Sequence, residues 1–522
     1  MDENRRMTRA TGVIGSATLF SRIFGYVRDM VLAAYLGAGM VSDAFFVAFT
    51  IPNLLRRLFA EGSLTISFIP VFTEQLENKG RAEAFAMAGS ALRLLSVILL
   101  AMTVIGILFS PAIVHVVGWG WTVDQPDKFS LTVTLTRIMF PYVFFICLVA
   151  LCMGILNALG YFAAPALAPV LLNLAMIAAI VGVSFFSKDA LVRVNVLAAG
   201  VVVGGILQLL LQVPFLIRAG LRLRQKTVLF HPALKKVAYL MLPAVFGAAV
   251  YQVNIIIGRM LATMLPEGSV TYLYYADRLV QFPLGVFAIS GAMAALPSMS
   301  RQAAAGDYQA MVDTFGYSLK LIFFISLPAM TGLIVLREPL VALLFQHGKF
   351  SEEAVRLTAY ALLLYAAGLW AVSAVRMVVA VFYALSDTRT PVRIAIIATL
   401  ANIVFSLVLM GPLAHGGLAL ATSLSAVLNF LLLMRALQVK LGKLRGGSLT
   451  RAVVRYVFCS SVMGLGVWQV AGWVIPAEAS FSSLLLGTLL SIGVGVAIYL
   501  LLSYSLRSQE LTDLVKALRR SG

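Results

Sequence analysis

The sequence predicts an all-α membrane protein with fourteen transmembrane helices, arranged as two six-helix lobes around a central cavity plus two extra C-terminal helices. Of its 522 residues, 61% are hydrophobic and only 12% are charged, whereas soluble domains carry about 25% charged residues. Long continuous apolar stretches match the roughly 20 residues that a spanning helix needs. They do not show the alternating apolar and polar pattern of a membrane β-barrel.

The spans follow one another in order, with ends placed to within a few residues. They are expected near 11–36, 43–73, 85–114, 131–159, 162–186, 193–218, 235–264, 270–298, 313–337, 355–385, 391–412, 415–437, 451–474 and 481–505. One exterior loop, at 338–354, is comparatively long and has mixed charge.

The net charge of +18 indicates how the chain is oriented in the membrane and does not indicate nucleic-acid binding, because the basic residues concentrate in short loops. The segments 218–236 and 435–455 each contain six Lys or Arg residues and no acidic residue. Both fall on the same side as the basic N-terminus and C-terminal tail. The positive-inside rule makes that side cytoplasmic. No nucleic-acid partner is expected.

The sequence offers no signal for a metal, a cofactor or an enzyme. The three cysteines lie in apolar stretches, and the four histidines lack the spacing of metal ligands. There is no glycine-rich nucleotide loop, metal-hydrolase motif or nucleophile elbow. ATP-driven pumping by this chain alone is therefore not expected.

Weak internal repeats indicate a duplication of six helices. Ala-Met-Thr at 101–103 recurs at 329–331, Lys-Phe-Ser at 128–130 recurs at 349–351, and Ala-Leu at 158–159 recurs at 384–385. An even number of helices keeps both copies in one orientation, which predicts two parallel halves with substrate at their interface. The predicted division is 1–225, 226–440 and 441–522.

The first span carries three ionisable residues within an apolar stretch, SRIFGYVRD. Arg22, Arg28 and Asp29 share a polar arc of roughly 120° with Gly25, at about 100° per residue. Each such charge costs about 2.5–3.5 kcal/mol in hydrocarbon on insertion scales, so this arc must face protein or water. Glycine at its centre permits close approach of a ligand or helix. A structural alternative is that Asp29 pairs with Arg22 to join helices.

The second span, SDAFFVAFTIPNLLRRLFAEGS, contains a proline that is expected to bend or break the helix. Asp43 precedes this break, and Arg56, Arg57 and Glu61 follow it. Arg57 and Glu61 are four residues apart, a spacing at which they pair on one helix face. Alternatively, Arg56 and Arg57 lie at the membrane boundary with their guanidinium groups in water.

The eighth span, YYADRLVQFP, is the second-half counterpart of the second. Tyr274, Asp277, Arg278 and Gln281 share one helix face by their spacing. Alternatively, Asp277 and Arg278 form an ion pair that only stabilises helix packing. Cations from both halves that meet in a central cavity call for an anionic ligand. Arginine suits phosphate, because its planar fork forms bidentate hydrogen bonds.

These three motifs, together with FQHGKF at 345–350, resemble the MurJ (MviN) family of lipid II flippases. The resemblance implies membership of the multidrug/oligosaccharidyl-lipid/polysaccharide exporter superfamily, with two six-helix lobes around a central cavity. It further implies that the last two helices continue a hydrophobic groove suited to the undecaprenyl tail.

The resemblance assigns roles to several residues of this chain. Arg22, Arg28 and Arg278 match the essential cavity arginines, and Asp29 matches an acidic residue beside them. Asp43 and Glu61 match acidic positions implicated in the family. Some members bind sodium through carboxylates on spans seven and eleven; span seven here has no carboxylate within the membrane, which leaves sodium coupling open.

The leading hypothesis is a flippase that moves lipid II across the bacterial inner membrane by alternating access. Arg22, Arg28, Asp29 and Arg278 are the predicted substrate-binding residues. The predicted gating or cavity-lining residues are Gly25, Asp43, Arg56, Arg57, Glu61 and Asp277. The expected partners are lipid II, membrane lipids and cell-wall synthesis proteins.

Two alternatives stay open at this stage. One is an exporter of the same architecture for drugs or for another polyprenyl-diphosphate-linked oligosaccharide. The other is a scaffold without transport activity that recruits cell-wall enzymes.

Overall fold

The computed structural model describes residues 2–58, 64–122, 125–221, 228–285, 289–442, 446–476, 480–513 and 516. Within these ranges the regular structure is helical throughout, without a strand. The predicted all-α membrane fold is confirmed. Eight described helices are long and apolar enough to cross a membrane, or nine if the bent pair at 352–384 is one span. The count of fourteen spans stays a prediction.

The helices are as follows, in chain order. They are α1 Asp2–Leu36, α2 Met40–Leu58, α3 Thr65–Leu108, α4 Ser110–Val117, α5 Pro126–Met139, α6 Pro141–Ala158, α7 Ala163–Ser184, α8 Ala190–Arg218, α9 Ala233–Thr263, α10 Ser269–Pro283, α11 Ile289–Ala304, α12 Tyr308–Val335, α13 Arg337–Phe345, α14 Glu352–Ala366, α15 Leu369–Ala384, α16 Arg389–Leu441, α17 Gly446–Val474 and α18 Phe481–Ser505.

The order of helices repeats in the way that the sequence duplication predicts. The starts of α4, α5, α6 and α7 precede those of α13, α14, α15 and α16 by 227, 226, 228 and 226 residues. Each series runs from a short helix through a broken span to a pair of long helical segments. In the second series this pair is α16, whose backbone leaves the helical conformation at Ala414.

The chain forms two compact units. The first contains Met1–Thr271 and His347–Phe350, and the second contains Tyr272–Gln346 and Ser351–Gly522. This grouping places α9 with the first unit. The division at 225 and 440, which follows the sequence repeat, stays a prediction.

One local expectation is wrong. The exterior segment 338–354 is not simply a loop, because α13 occupies its first half. At Pro52 the structure excludes a break, since α2 continues through this residue to Leu58, and the expected bend stays a prediction. Membrane helices tolerate an internal proline where neighbouring groups satisfy the freed backbone.

Small residues bring helices of the first unit close together. A Cβ added at Gly200 would lie 2.5 Å from the Cβ of Ala179, and one added at Gly204 would lie 3.0 Å from the Cα of Leu172. These glycines let α8 pack directly on α7. The resulting contact fixes the position of α7, which carries a polar residue of the site.

Candidate functional site

The polar arc of α1 holds a buried charge cluster in the first unit. Arg28 donates from Nε and Nη2 to Asp29 Oδ1, at 3.0 Å and 2.6 Å. Its other terminal nitrogen, Nη1, donates to Asn173 Oδ1 of α7 at 3.1 Å. Asn173 also donates to the backbone carbonyl of Ser21 at 3.3 Å. Arg28 and Asp29 are 5% and 1% exposed, so this cluster is removed from bulk water.

These hydrogen bonds fix the orientation of the planar Arg28 guanidinium. A carboxylate on one side and an amide oxygen on the other fix its orientation, and the carboxylate compensates its buried charge. The predicted alternative pairing of Asp29 with Arg22 is not the arrangement seen here. The neighbouring residue Arg28 takes that place.

Arg22 and Gly25 lie on the same side of α1 as this cluster, about two turns and about one turn before Arg28 respectively. Both are half-buried. A Cβ added at Gly25 would meet one atom within 4 Å, the Asn173 amide nitrogen at 3.8 Å. No hydrogen bond or ion pair joins the Arg22 guanidinium to the described part of the chain. Arg22 therefore adds a cation that the cluster does not compensate.

Asp43, in the first turn of α2, belongs to a second buried cluster in the same unit. Lys128 Nζ of α5 lies 2.8 Å from Asp43 Oδ2, and both side chains are at most 3% exposed. The Gly268 N–H donates to Oδ2 at 2.8 Å. Thr271 donates to Oδ1 from its N–H at 2.9 Å and from its hydroxyl at 2.6 Å.

This carboxylate satisfies the free backbone donors at the start of α10. A negative charge is favourable there, because the helix dipole places partial positive charge at its N-terminus. The Lys128 ammonium lies 4.4 Å from the centroid of the Trp121 ring, which adds a cation–π contact. Asp43 is thus bound by α5 and by the start of α10. Its role in gating stays a prediction.

The FQHGKF motif returns to the first unit at residues 347–350. The Lys349 N–H donates to the carbonyl of Ala34 in the last turn of α1 at 2.8 Å. Gly37 and Gly348 both have positive φ, of 71° and 57°. An added Cβ would lie 2.7 Å from the Lys349 oxygen at Gly37, and 2.3 Å from the Ala34 oxygen at Gly348. Only glycine fits this backbone contact.

The polar face of α10 lies in the second unit beyond Thr271. The Arg278 guanidinium carbon lies 5.7 Å from the centroid of the Tyr274 ring. The Gln281 amide donates to the Asp277 carboxylate. Tyr274, Asp277 and Arg278 are half-buried. The predicted common face of these residues agrees with these two contacts, each of which spans four positions.

The predicted group at the end of α2 is only partly described. Arg56 donates from Nε to Asn53 Oδ1 at 3.2 Å, and Arg56 and Arg57 are half-buried. Glu61 lies outside the described residues, so its predicted pairing with Arg57 stays a prediction.

Asn173 and Lys128 are two site residues that the sequence reading missed. Asn173 is uncharged, and a single amide in an apolar span does not indicate its partner. In the sequence Lys128 stands out only as part of a repeated tripeptide. One signal does point to it: this lysine lies just before the predicted span 131–159, and Asp43 lies at the corresponding end of the predicted span 43–73.

The fold and these clusters define a class of protein: a multi-span helical transporter with buried cations on its spans. A solved multidrug transporter of the MOP superfamily in an inward-facing conformation has the same fold, with a TM-score of 0.70 over 84% of this chain and 98% of that chain at 15% identity. A solved lipid II flippase MurJ in an inward closed conformation has a TM-score of 0.79 over 96% of this chain and 99% of that chain at 25% identity.

Residues 32–489 match the family model described as lipid II flippase MurJ, and the chain belongs to this family. A probable lipid II flippase MurJ of Vibrio cholerae is 38% identical over 95% of both chains. The lipid II flippase MurJ of Burkholderia cenocepacia is 37% identical, over 82% of this chain and 83% of its own length. The predicted family is confirmed.

Proposed function

We propose that this chain is a lipid II flippase of the bacterial cytoplasmic membrane, which moves the headgroup from the inner to the outer leaflet without modifying it. Family membership supports this function. The observation that carries the proposal is the buried guanidinium of Arg28, held by Asp29 and Asn173 next to the uncompensated cation of Arg22. Such an arrangement suits an anion with two phosphates.

Arg22, Arg28 and Arg278 bind the diphosphate in this proposal. Arginine stays charged when buried, and its fork matches phosphate oxygens. Asp29 compensates Arg28 when no substrate is present and holds its fork in the plane that the phosphate requires. When the diphosphate enters, it shares the guanidinium with Asp29. The headgroup is then released once the cavity opens outward and water competes for the same donors.

The membrane potential favours this direction of transport. Moving one negative charge outward across 100 mV is favoured by about 2.3 kcal/mol. The cavity arginines lower the cost of bringing the anion into the membrane, and the potential then assists its exit. Hydrolysis of ATP by this chain has no part in the scheme.

The outer gate in this proposal consists of the Asp43–Lys128 cluster and the contact between 347–350 and the end of α1. Both join segments of the first unit by buried charges or by close backbone packing. Opening outward separates Asp43 from the N-terminus of α10. Gly25, Arg56, Arg57 and Asp277 line the path of the headgroup in this proposal.

The chain is oriented with both termini in the cytoplasm, as the basic loops favour. Membrane lipids surround it, and cell-wall synthesis proteins that consume lipid II on the outer surface are its functional partners.

A depletion-and-rescue experiment in bacteria tests the proposal. Cells depleted of their own flippase receive the wild-type chain, Arg28→Ala or Arg278→Ala, and lipid II on each leaflet is quantified. The matched control is Arg356→Ala, because Arg356 is an exposed arginine of α14. We expect rescue by wild type and Arg356→Ala, and inner-leaflet accumulation with the other two at equal expression. Rescue by both cavity variants would refute the assigned site. If the wild-type chain protected cells against toxic organic cations but did not restore lipid II transport, the multidrug alternative would be favoured.

A further inference from the structure

The second unit contains an elongated slot that the headgroup site does not use. Its volume is about 330 Å³, and it lies between α11, α12 and α15. The lining residues of α12 run from Thr314 to Ala329, one or two in every turn. At 1.5 Å per residue this stripe is about 22 Å long. The slot is therefore shaped for a chain and not for a compact molecule.

Small side chains create this space. Gly291, Ala294 and Ala295 line it from α11, and Ser373 lines it from α15. Ala294 is exposed, so the slot is open along α11. A protein interior is normally close-packed, and an unfilled space of this size forfeits many contacts. An occupant is expected.

The lining restricts the chemistry of that occupant. Among the described residues that line the slot, none is charged, and the polar groups are five hydroxyls. The occupant is therefore uncharged along this length. Water is a poor candidate, since a buried water needs two to four polar partners and most of the lining is apolar.

One buried hydroxyl of the lining has no hydrogen-bond partner among the described residues. Ser326 is 6% exposed, lines the slot, and its Oγ lacks a hydrogen-bond partner among the described residues. By contrast, the Ser373 hydroxyl donates to the Leu369 carbonyl at 2.8 Å. A buried donor without a partner is costly. The occupant is expected to offer Ser326 an acceptor.

The depth of Ser326 distinguishes a polyprenyl chain from a saturated acyl chain. It lies about 7 Å along the axis from the midpoint of α12, well inside a hydrocarbon core of about 30 Å. The ester oxygens of a phospholipid lie at the interface, so a saturated acyl chain offers nothing at this depth. A polyprenyl chain carries a double bond in each isoprene unit, whose π face accepts a weak hydrogen bond.

We infer that the slot between α11, α12 and α15 binds a segment of a polyprenyl chain. This inference rests on the proposed function, because the chain would be the lipid tail of the translocated substrate. It places part of the tail between α11, α12 and α15, whereas the resemblance assigns the groove to α17 and α18 of the same unit. Tail binding there holds the substrate while its headgroup crosses.

Purified full-length protein in detergent tests the inference, with undecaprenyl phosphate as the probe and native mass spectrometry as the measurement. Gly291→Leu fills the slot; a Cβ at this position meets one atom within 4 Å, Ile322 Cγ1 at 4.0 Å. The matched control is Gly316→Leu on α12, where an added Cβ meets nothing within 4 Å. We expect Gly291→Leu to weaken binding by about tenfold or more, because leucine takes the volume of the chain, and Gly316→Leu to leave it unchanged.

Ser326→Ala provides the second arm. Loss of a weak hydrogen bond predicts about two- to fivefold weaker binding of undecaprenyl phosphate. The control is Ser406→Ala, a buried serine outside the slot. Binding of dipalmitoyl phosphatidylglycerol and of the unsaturated dioleoyl phosphatidylglycerol is expected to be unaffected by Ser326→Ala. Equal weakening for undecaprenyl phosphate and for either phosphatidylglycerol would show a general acyl site and overturn the polyprenyl assignment.

A photoreactive polyprenyl phosphate then locates the chain. Crosslinks to α11, α12 or α15 support the inference, and crosslinks confined to α17 and α18 overturn it. Wild-type affinity of Gly291→Leu for undecaprenyl phosphate would also overturn it. None of these outcomes tests the proposed function. The proposed function fails on a different result, namely if the wild-type chain does not rescue lipid II translocation.

Discussion

The buried pair of Asp43 and Lys128 gives a stability prediction that the structure makes quantitative. Lys128→Met removes the ammonium 2.8 Å from the Asp43 carboxylate while keeping an apolar stem of similar length. Breaking a buried ion pair on one side costs about 3–5 kcal/mol, since the remaining charge is uncompensated. Three donors from Gly268 and Thr271 still stabilise Asp43. We therefore expect a loss of about 3 kcal/mol in the free energy of unfolding.

The reverse change, Asp43→Asn, is expected to cost a similar amount for a different reason. An amide keeps one oxygen for Thr271 but presents an NH₂ group to the Gly268 N–H and to Lys128, so donors face donors. The double variant removes the uncompensated lysine charge. We expect it to be at least about 1.5 kcal/mol more stable than the sum of the single losses predicts.

Equilibrium unfolding of the purified protein in mixed micelles measures all four proteins of this cycle. Lys188→Met serves as the control, because Lys188 lies in the connection between α7 and α8 and is not fully buried. Additive losses within about 0.5 kcal/mol would refute the coupling of Asp43 with Lys128.

Three further changes test other parts of the account. Arg28→Lys keeps the positive charge but is expected to lower the rate of lipid II translocation in vesicles at least about tenfold, because lysine lacks the bidentate fork. A wild-type rate would contradict this. Gly348→Ala is expected to weaken the contact with Ala34, because φ at this position is 57° and the added Cβ would lie 2.3 Å from the Ala34 carbonyl oxygen. We expect faster amide hydrogen exchange at 347–350, and unchanged exchange would contradict the prediction. Asp387, in the connection before α16, has a pKa well below its usual value, mainly because Lys440 donates to it at 2.7 Å. Since the folded-state pKa is the lower one, its contribution to stability is present above the unfolded-state pKa of about 4 and lost as the pH falls through the folded value. Asp387→Asn should therefore show a smaller loss of stability than wild type on acidification below about pH 4, and an identical pH profile would contradict the assignment.

The charged positions of the site were predictable from sequence, because an ionised group within an apolar span is conspicuous. Arg28 and Asp29 are buried as that argument requires. Their pairing was not predictable. It depends on the packing of α1 against α7, which brings Asn173 to the third side of the guanidinium. Charge alone does not specify which neighbour a buried arginine takes.

The overall helical fold followed from composition, and the duplication followed from short repeats. The details of broken spans did not. A proline inside an apolar run has two outcomes, since α2 continues through Pro52 whereas α6 begins at Pro141. Which outcome occurs depends on whether neighbouring groups satisfy the backbone. The slot beside α12 was also not predictable from the sequence, because it depends on how α15 packs against α11 and α12, from which it is distant in the chain.

The rate of lipid II translocation in reconstituted vesicles tests most directly that the α1 arginine cluster binds the diphosphate. Lipid II is placed on one leaflet, an imposed potential drives anions across, and its appearance on the other leaflet is followed with a probe that cannot cross. We predict translocation by the wild type, and a rate equal to that of protein-free vesicles for Arg28→Ala with normal folding. A wild-type rate for Arg28→Ala would contradict the account.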